Sequence, residues 1–201
     1  APSGTRASLP SSNEAARLYA EGLTKLRLFE TREARSLLEK AAALDPKFAL
    51  GHAALSDALA NLGYDALARQ EAQKAFDLSA SLSRDERLVI EGRLREVNRE
   101  WPKAVESYRT LWGFFPDNVE YGLRLASAQM SAGQSKDALT TVAEMRKATA
   151  GVNSDPRIDL AEARAYDNLG SFKESLSAAQ AAGKTGEAQG ARLVVAQARI
   201  A

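Results

Sequence analysis

A small residue returns at an almost fixed interval along this chain, at Ala34, Ala68, Ala104 and Ala138, with spacings of 34, 36 and 34. A weaker fifth copy has Ser175 in the same place. Around each of these positions, two apolar-periodic segments of helix length flank a polar or Gly-containing turn. A unit of that size cannot bury its own apolar face, so a period of this length demands a stack whose core is shared between neighbours. The predicted copies run near residues 15–48, 49–82, 85–118, 119–152 and 156–189, and the expected class is all-α.

Helix-start signals agree with this register. Ser11-x-x-Glu14, Ser83-x-x-Glu86, Asp117-x-x-Glu120 and Ser171-x-x-Glu174 read as capping boxes, whose side chains satisfy the orphan amides of a first turn. Pro102 and Pro156 suit the first helical position, where a missing amide is harmless. Insertions at 79–83 and 149–155 break the period and are expected on the surface, as tolerated slack or as binding loops.

The phased pattern resembles the tetratricopeptide repeat (TPR) family. The small residue of its first helix is matched by Gly22, Ser56, Gly92, Ala126 and Ala163, and a Leu-Gly pair ends that helix at Leu62–Gly63 and Leu169–Gly170. In the second helix the key Ala is followed by Leu38 or Tyr108 four residues on, then by Ala41, Ala75 or Ala182, and Pro46 and Pro116 close two units. The first helices lack the family's usual Trp, Ala80 stands where a closing Pro is expected, and Ser175 replaces the fifth Ala. The resemblance implies an α-solenoid of antiparallel helix pairs in a right-handed superhelix, about five repeats plus a terminal helix at 190–201.

Composition narrows the function. With 27 basic and 26 acidic residues the formal net charge is +1, which gives no electrostatic case for nucleic acid or a membrane surface. There is no Cys, so disulfides and thiolate chemistry are excluded. The longest purely apolar run lies near Leu193–Ala196, far short of a membrane span. Residues 1–12, rich in Ser and Pro, read as a linker rather than an intact signal peptide. The segment from 190 to 201 looks like a first helix with no second helix after it, either a cap or the start of a longer array.

Catalytic signals fail one by one. His52 is the single histidine and falls at a packing position, which predicts a buried or half-buried structural role. One His without Cys does not build a zinc site, and no Ser sits in a nucleophile-elbow context. Gly183-Lys184-Thr185 ends like a phosphate-binding loop, but Ala178 replaces the earlier glycine and no strand precedes it. The carboxylates are interleaved with Lys and Arg, as on a solvated helix face. No enzyme activity, cofactor or metal is expected.

What remains is recognition of a protein or peptide. The resemblance implies a concave groove lined by the first helices, called A helices. Carried over position by position, its contacts are Tyr19, Leu23, Arg27, Asp57, Asn61, Glu86, Arg93, Glu96, Arg124, Ser127, Arg157 and Arg164. Arg93, Arg124 and Arg164 occupy equivalent or adjacent positions and are expected to form a basic ladder for an acidic partner. The aromatics Trp101, Tyr108, Trp112, Phe114 and Phe115 are expected in the core, with Trp101 the most exposed.

The phrases ALANLGYDALA, SLSRDERLVIEGR, FFPDNVEYGLRLA and DPRIDLAEARA are similar to the TPR region of bacterial eukaryotic-like serine/threonine kinases and related sensor regulators. That resemblance implies a fragment of a larger signalling protein on the extracytoplasmic side of a membrane-anchored sensor; without it a cytoplasmic location is expected. The alternative is a stand-alone scaffold that self-associates, as a homodimer through its C-terminal helix.

Overall fold

The computed structural model describes residues 9–150 and 155–188. Among these residues the regular structure is entirely helical. The helices are α1 (Asn13–Arg27), α2 (Thr31–Leu44), α3 (Ala49–Asn61), α4 (Asp65–Leu78), α5 (Arg84–Val97), α6 (Trp101–Phe114), α7 (Val119–Ser131), α8 (Ser135–Ala148), α9 (Pro156–Asn168) and α10 (Phe172–Ala188). They group into two compact units, α1 to α5 and α6 to α10. In the first unit each helix packs on the next from α1 to α5, with α1 also touching α3 and α3 touching α5; in the second the same succession runs from α6 to α10, with α7 touching α9. The terminal helix expected at 190–201 and most of the 149–155 insertion lie outside the described residues.

The small residues sit where helices cross. Ala34, Ala68, Ala104 and Ala138 are at most 1% exposed, and the partner positions Gly22, Ser56, Gly92, Ala126 and Ala163 are buried as well. A Cβ on Gly22 would lie 2.7 Å from Leu38 Cγ, and one on Gly122 would lie 2.6 Å from Met145 Cγ. Leu38 and Met145 thus fill space that a larger residue on the facing helix would claim. Ser56 adds a polar link, donating to the Ala68 carbonyl at 2.8 Å.

All the turns inside helix pairs share one backbone solution. In each, the amide two residues past the C-cap donates back to a carbonyl in the last turn, as in Glu30 to Lys25, Tyr64 to Leu59, Glu100 to Arg95, Gln134 to Gln129 and Ser171 to Tyr166, at 2.8–2.9 Å. This Schellman closure needs a left-handed residue just before that amide. Gly63, Gly133 and Gly170 supply it with φ of 79°, 76° and 72°, while Phe29 and Arg99 adopt 59° despite their side chains. The Leu-Gly pairs noticed in the sequence are two instances of this turn.

The start signals before α5 and α9 hold, while the capping boxes expected at Ser11–Glu14 and Asp117–Glu120 do not form. Ser83 and Glu86 form a full capping box, and Asp155 caps α9 ahead of Pro156. The cap of α1 is Ser12 rather than Ser11, and that of α7 is Asn118 rather than Asp117. Ser11 is used differently, its amide donating to Asp45 at 2.6 Å. Pro102 is the second residue of α6 and not the first. The 79–83 insertion folds down as a short 3-10 turn, Ser79–Ser81, with Ser79 buried and bonded to the Phe76 carbonyl.

Candidate partner-binding faces

In the first unit the expected contacts lie on α1, α3 and α5, and the structure gathers several of them. Asp57 and Arg93 form an ion pair at 3.1 Å, with side chains only 8% and 14% exposed. Tyr19 lies within their field: burial pushes its phenol pKa up, the guanidinium of Arg93 lowers it, Asp57 raises it, Arg27 lowers it and Glu86 raises it. Tyr19 thus has charged neighbours from three A helices: Arg27 on its own helix, Asp57 on α3, and Glu86 and Arg93 on α5.

Tyr19 and Glu86 are held by local structure. The Tyr19 ring meets Phe48 edge-on at 4.9 Å, and Phe48 is itself fixed against α3, since a Cβ on Gly51 would strike its ring at 2.7 Å. Glu86 closes the Ser83 capping box. Leu23 and Tyr19 also rest on the cluster built around Leu38, Leu55 and Leu59, so both serve packing as well as surface. Arg27 and Asn61 are exposed at the ends of α1 and α3, and Glu96 is half-buried on α5.

The second unit presents Arg124 and Ser127 on α7, and Arg157 and Arg164 on α9. Arg157 is fixed at the base of that face, bonding Asp155 at 2.6 Å and Glu120 at 2.8 Å. Arg124 is half-buried, and Ser127 and Arg164 are exposed. Behind them Arg146 of α8 reaches Asp159 at 2.7 Å and also bonds Glu162. Burial raises the Asp159 carboxyl above its ordinary range, and Arg146 only partly opposes this.

The three arginines of the expected basic ladder divide between the units. Arg93 belongs to the first unit and is already paired with Asp57, whereas Arg124 and Arg164 belong to the second. The aromatic expectation divides too. Tyr108 and Trp112 are core, with the Trp112 indole donating to Glu144 at 3.1 Å, but Phe114 and Phe115 are 56% and 38% exposed. Trp101 opens α6 and is half-buried, because the helix begins one residue earlier than its Pro suggests. Leu169, which caps α9, and Phe172 and Leu176, in the first turns of α10, are exposed as well; for the last two the Phe172–Leu176 spacing was the available signal.

His52 is buried as expected, between Glu71 and the Pro46 carbonyl. Among the described residues no cluster of three or more His, Asp or Glu is placed to hold a metal, and no helix is long and apolar enough to cross a membrane.

No protein-family model matches the sequence, and no curated protein matches it. Solved structures do. A thermophilic TPR protein from Thermus thermophilus superposes with a TM-score of 0.58 at 15% identity, covering 93% of this chain and 100% of that one. A tetratricopeptide repeat protein from Parabacteroides merdae gives 0.60 at 11% identity, covering 92% of this chain and 71% of the other. YrrB, described as a TPR protein with an unusual peptide-binding site, gives 0.51 at 13% identity, with 93% and 92% covered. The packing of the described helices in adjacent pairs matches these neighbours: the chain has the fold of the tetratricopeptide repeat proteins.

Proposed function

We propose that this chain is a protein-interaction module that binds a segment of a partner protein on the faces of its A helices. The observation that carries the reading is Tyr19 with its charged neighbours Arg27, Asp57, Glu86 and Arg93 on α1, α3 and α5. A phenol, two guanidiniums and two carboxylates are not what an apolar core calls for, but they suit the recognition of polar groups on a peptide. In the second unit, Arg124 and Arg164 on α7 and α9 suit an acidic segment. YrrB, with its peptide-binding site, shares the fold and supports the same reading. The resemblance to sensor-kinase TPR regions supports a place in a larger signalling protein. The alternative of self-association through a C-terminal helix concerns residues outside the described ones.

Affinity capture from a bacterial lysate tests the proposal. The wild-type chain is compared with an Arg27→Gln/Asn61→Ala variant and an Arg124→Gln/Arg164→Gln variant, all checked by circular dichroism for unchanged helicity. The expected result is a specific partner lost from one or both variants. Equal capture by all three moves the site off the A-helix faces, and light scattering that finds discrete dimers with no captured partner favours the scaffold.

A further inference from the structure

His52, near the start of α3, is 7% exposed, and both of its ring nitrogens face acceptors. Nδ1 lies 2.6 Å from Glu71 Oε2 on α4, and Nε2 lies 3.0 Å from the main-chain oxygen of Pro46. A carbonyl oxygen has no proton to give. Nor does Glu71: burial pushes its pKa up, but Lys74, bonded to its other oxygen at 2.6 Å, and His52 outweigh burial and hold it below the usual carboxylate range. A neutral imidazole has one N–H and one lone pair, so it serves only one of two such acceptors and turns a lone pair on the other.

Charged and apolar groups reach the ring from separate elements. Helix α4 contributes Glu71 and, through it, Lys74. The connection after α2 contributes Asp45; burial raises its pKa, but the bonds from Ser11 and Lys47 and the charge of His52 together hold it below the usual range. From α5 the neighbour of this end of α3 is apolar, Ile90 packing with Ala49 and Ala53. From α1 the nearby contact is the Tyr19 ring on Phe48.

We propose that His52 is a pH-responsive clasp, tying α4 to the α2–α3 connection as an imidazolium and releasing the Pro46 carbonyl when it loses its second proton. The connection it releases also holds the lead-in to α1, because Asp45 accepts the Ser11 amide. The sign follows from the donors: the clasp is closed on the acid side of the His52 titration and opens as pH rises through it.

His52 is the single histidine of the chain, so ring resonances in a 15N-labelled sample report it alone. The full chain is titrated across the ordinary imidazole range, about 1.5 units either side of about 6.5. The expected result is that the amides of Lys47 and Phe48 shift with the midpoint of the ring, and that Glu71→Gln weakens the ring's proton affinity by about tenfold. Connection amides that ignore the ring titration overturn the proposal, as does a midpoint unchanged in Glu71→Gln. Melting temperatures give a second reading. Over the same range the wild type should lose more than His52→Gln, which has no titrating group at this position; equal losses place the pH dependence elsewhere and sink the clasp.

Discussion

Arg93 Nη2 lies 3.1 Å from Asp57 Oδ2 and joins α5 to α3, while Arg93 Nε is buried without a hydrogen-bond partner. A charge pair this shielded from water is held in place more by the cost of separating it than by net attraction.

Removing one partner should therefore hurt more than removing both. Asp57→Ala strands the guanidinium and is expected to cost about 2–4 kcal/mol, the lower side reflecting the residual solvent access of Arg93. The double variant Asp57→Leu/Arg93→Met should recover most of that loss. Urea unfolding of a double-mutant cycle reads the coupling; strictly additive losses would show that the pair is incidental.

The two side chains forced into the left-handed turn offer a second test. Arg99 at φ 59° carries a conformational cost that Gly63 at φ 79° avoids. Arg99→Gly should raise stability by about 0.5–1 kcal/mol, since its ion pair to Asp65 is long and solvent-exposed. Gly63→Ala should lower stability by about 1 kcal/mol, and thermal melts of the pair should move in opposite directions.

Ser175 stands where the other copies have Ala, and its buried hydroxyl has no hydrogen-bond partner. Ser175→Ala removes that unmet group without changing the packing volume much. A gain of about 1 kcal/mol in chemical unfolding is expected, and a loss would mean that the hydroxyl is satisfied in solution.

Acid should weaken the first unit. Glu71 and Asp45 both have folded pKa values below their ordinary range, so as pH falls the unfolded chain takes up protons first and unfolding is favoured. Their contribution is fully present above about pH 5 and is lost as pH drops through the depressed folded values. Asp159, raised by burial, acts in the opposite sense in the second unit. Melting of Glu71→Gln and wild type should converge toward low pH; parallel curves would discount the Glu71 part.

The sequence made the helix pairs legible because the crossing residues must be small: Ala34 and Gly22 on facing helices leave no alternative once Leu38 fills the gap. Ala68→Leu should likewise overpack the crossing of α3 and α4, and a melting temperature at or above wild type would contradict this. His52 was legible as buried for the same reason of register. The candidate site was less so. Sequence placed Arg93 on the right face but not in the grip of Asp57, because an ion pair between α3 and α5 depends on their approach and not on spacing along the chain. The aromatic run divided because Tyr108 and Trp112 point into the unit, while Phe114 and Phe115 fall at and beyond the end of α6.

The Schellman turns have a further consequence. At Phe29, Gly63, Arg99, Gly133 and Gly170 the backbone adopts the conformation natural to a D-amino acid. The chain has met this handedness problem in two ways: with achiral glycine, which leaves the unfolded state freer, and with L-residues held against their preference. A synthetic chain with D-alanine at these positions would remove both penalties, so each of these five turns marks a point where mirror-image chemistry fits the fold better than the genetic code can supply.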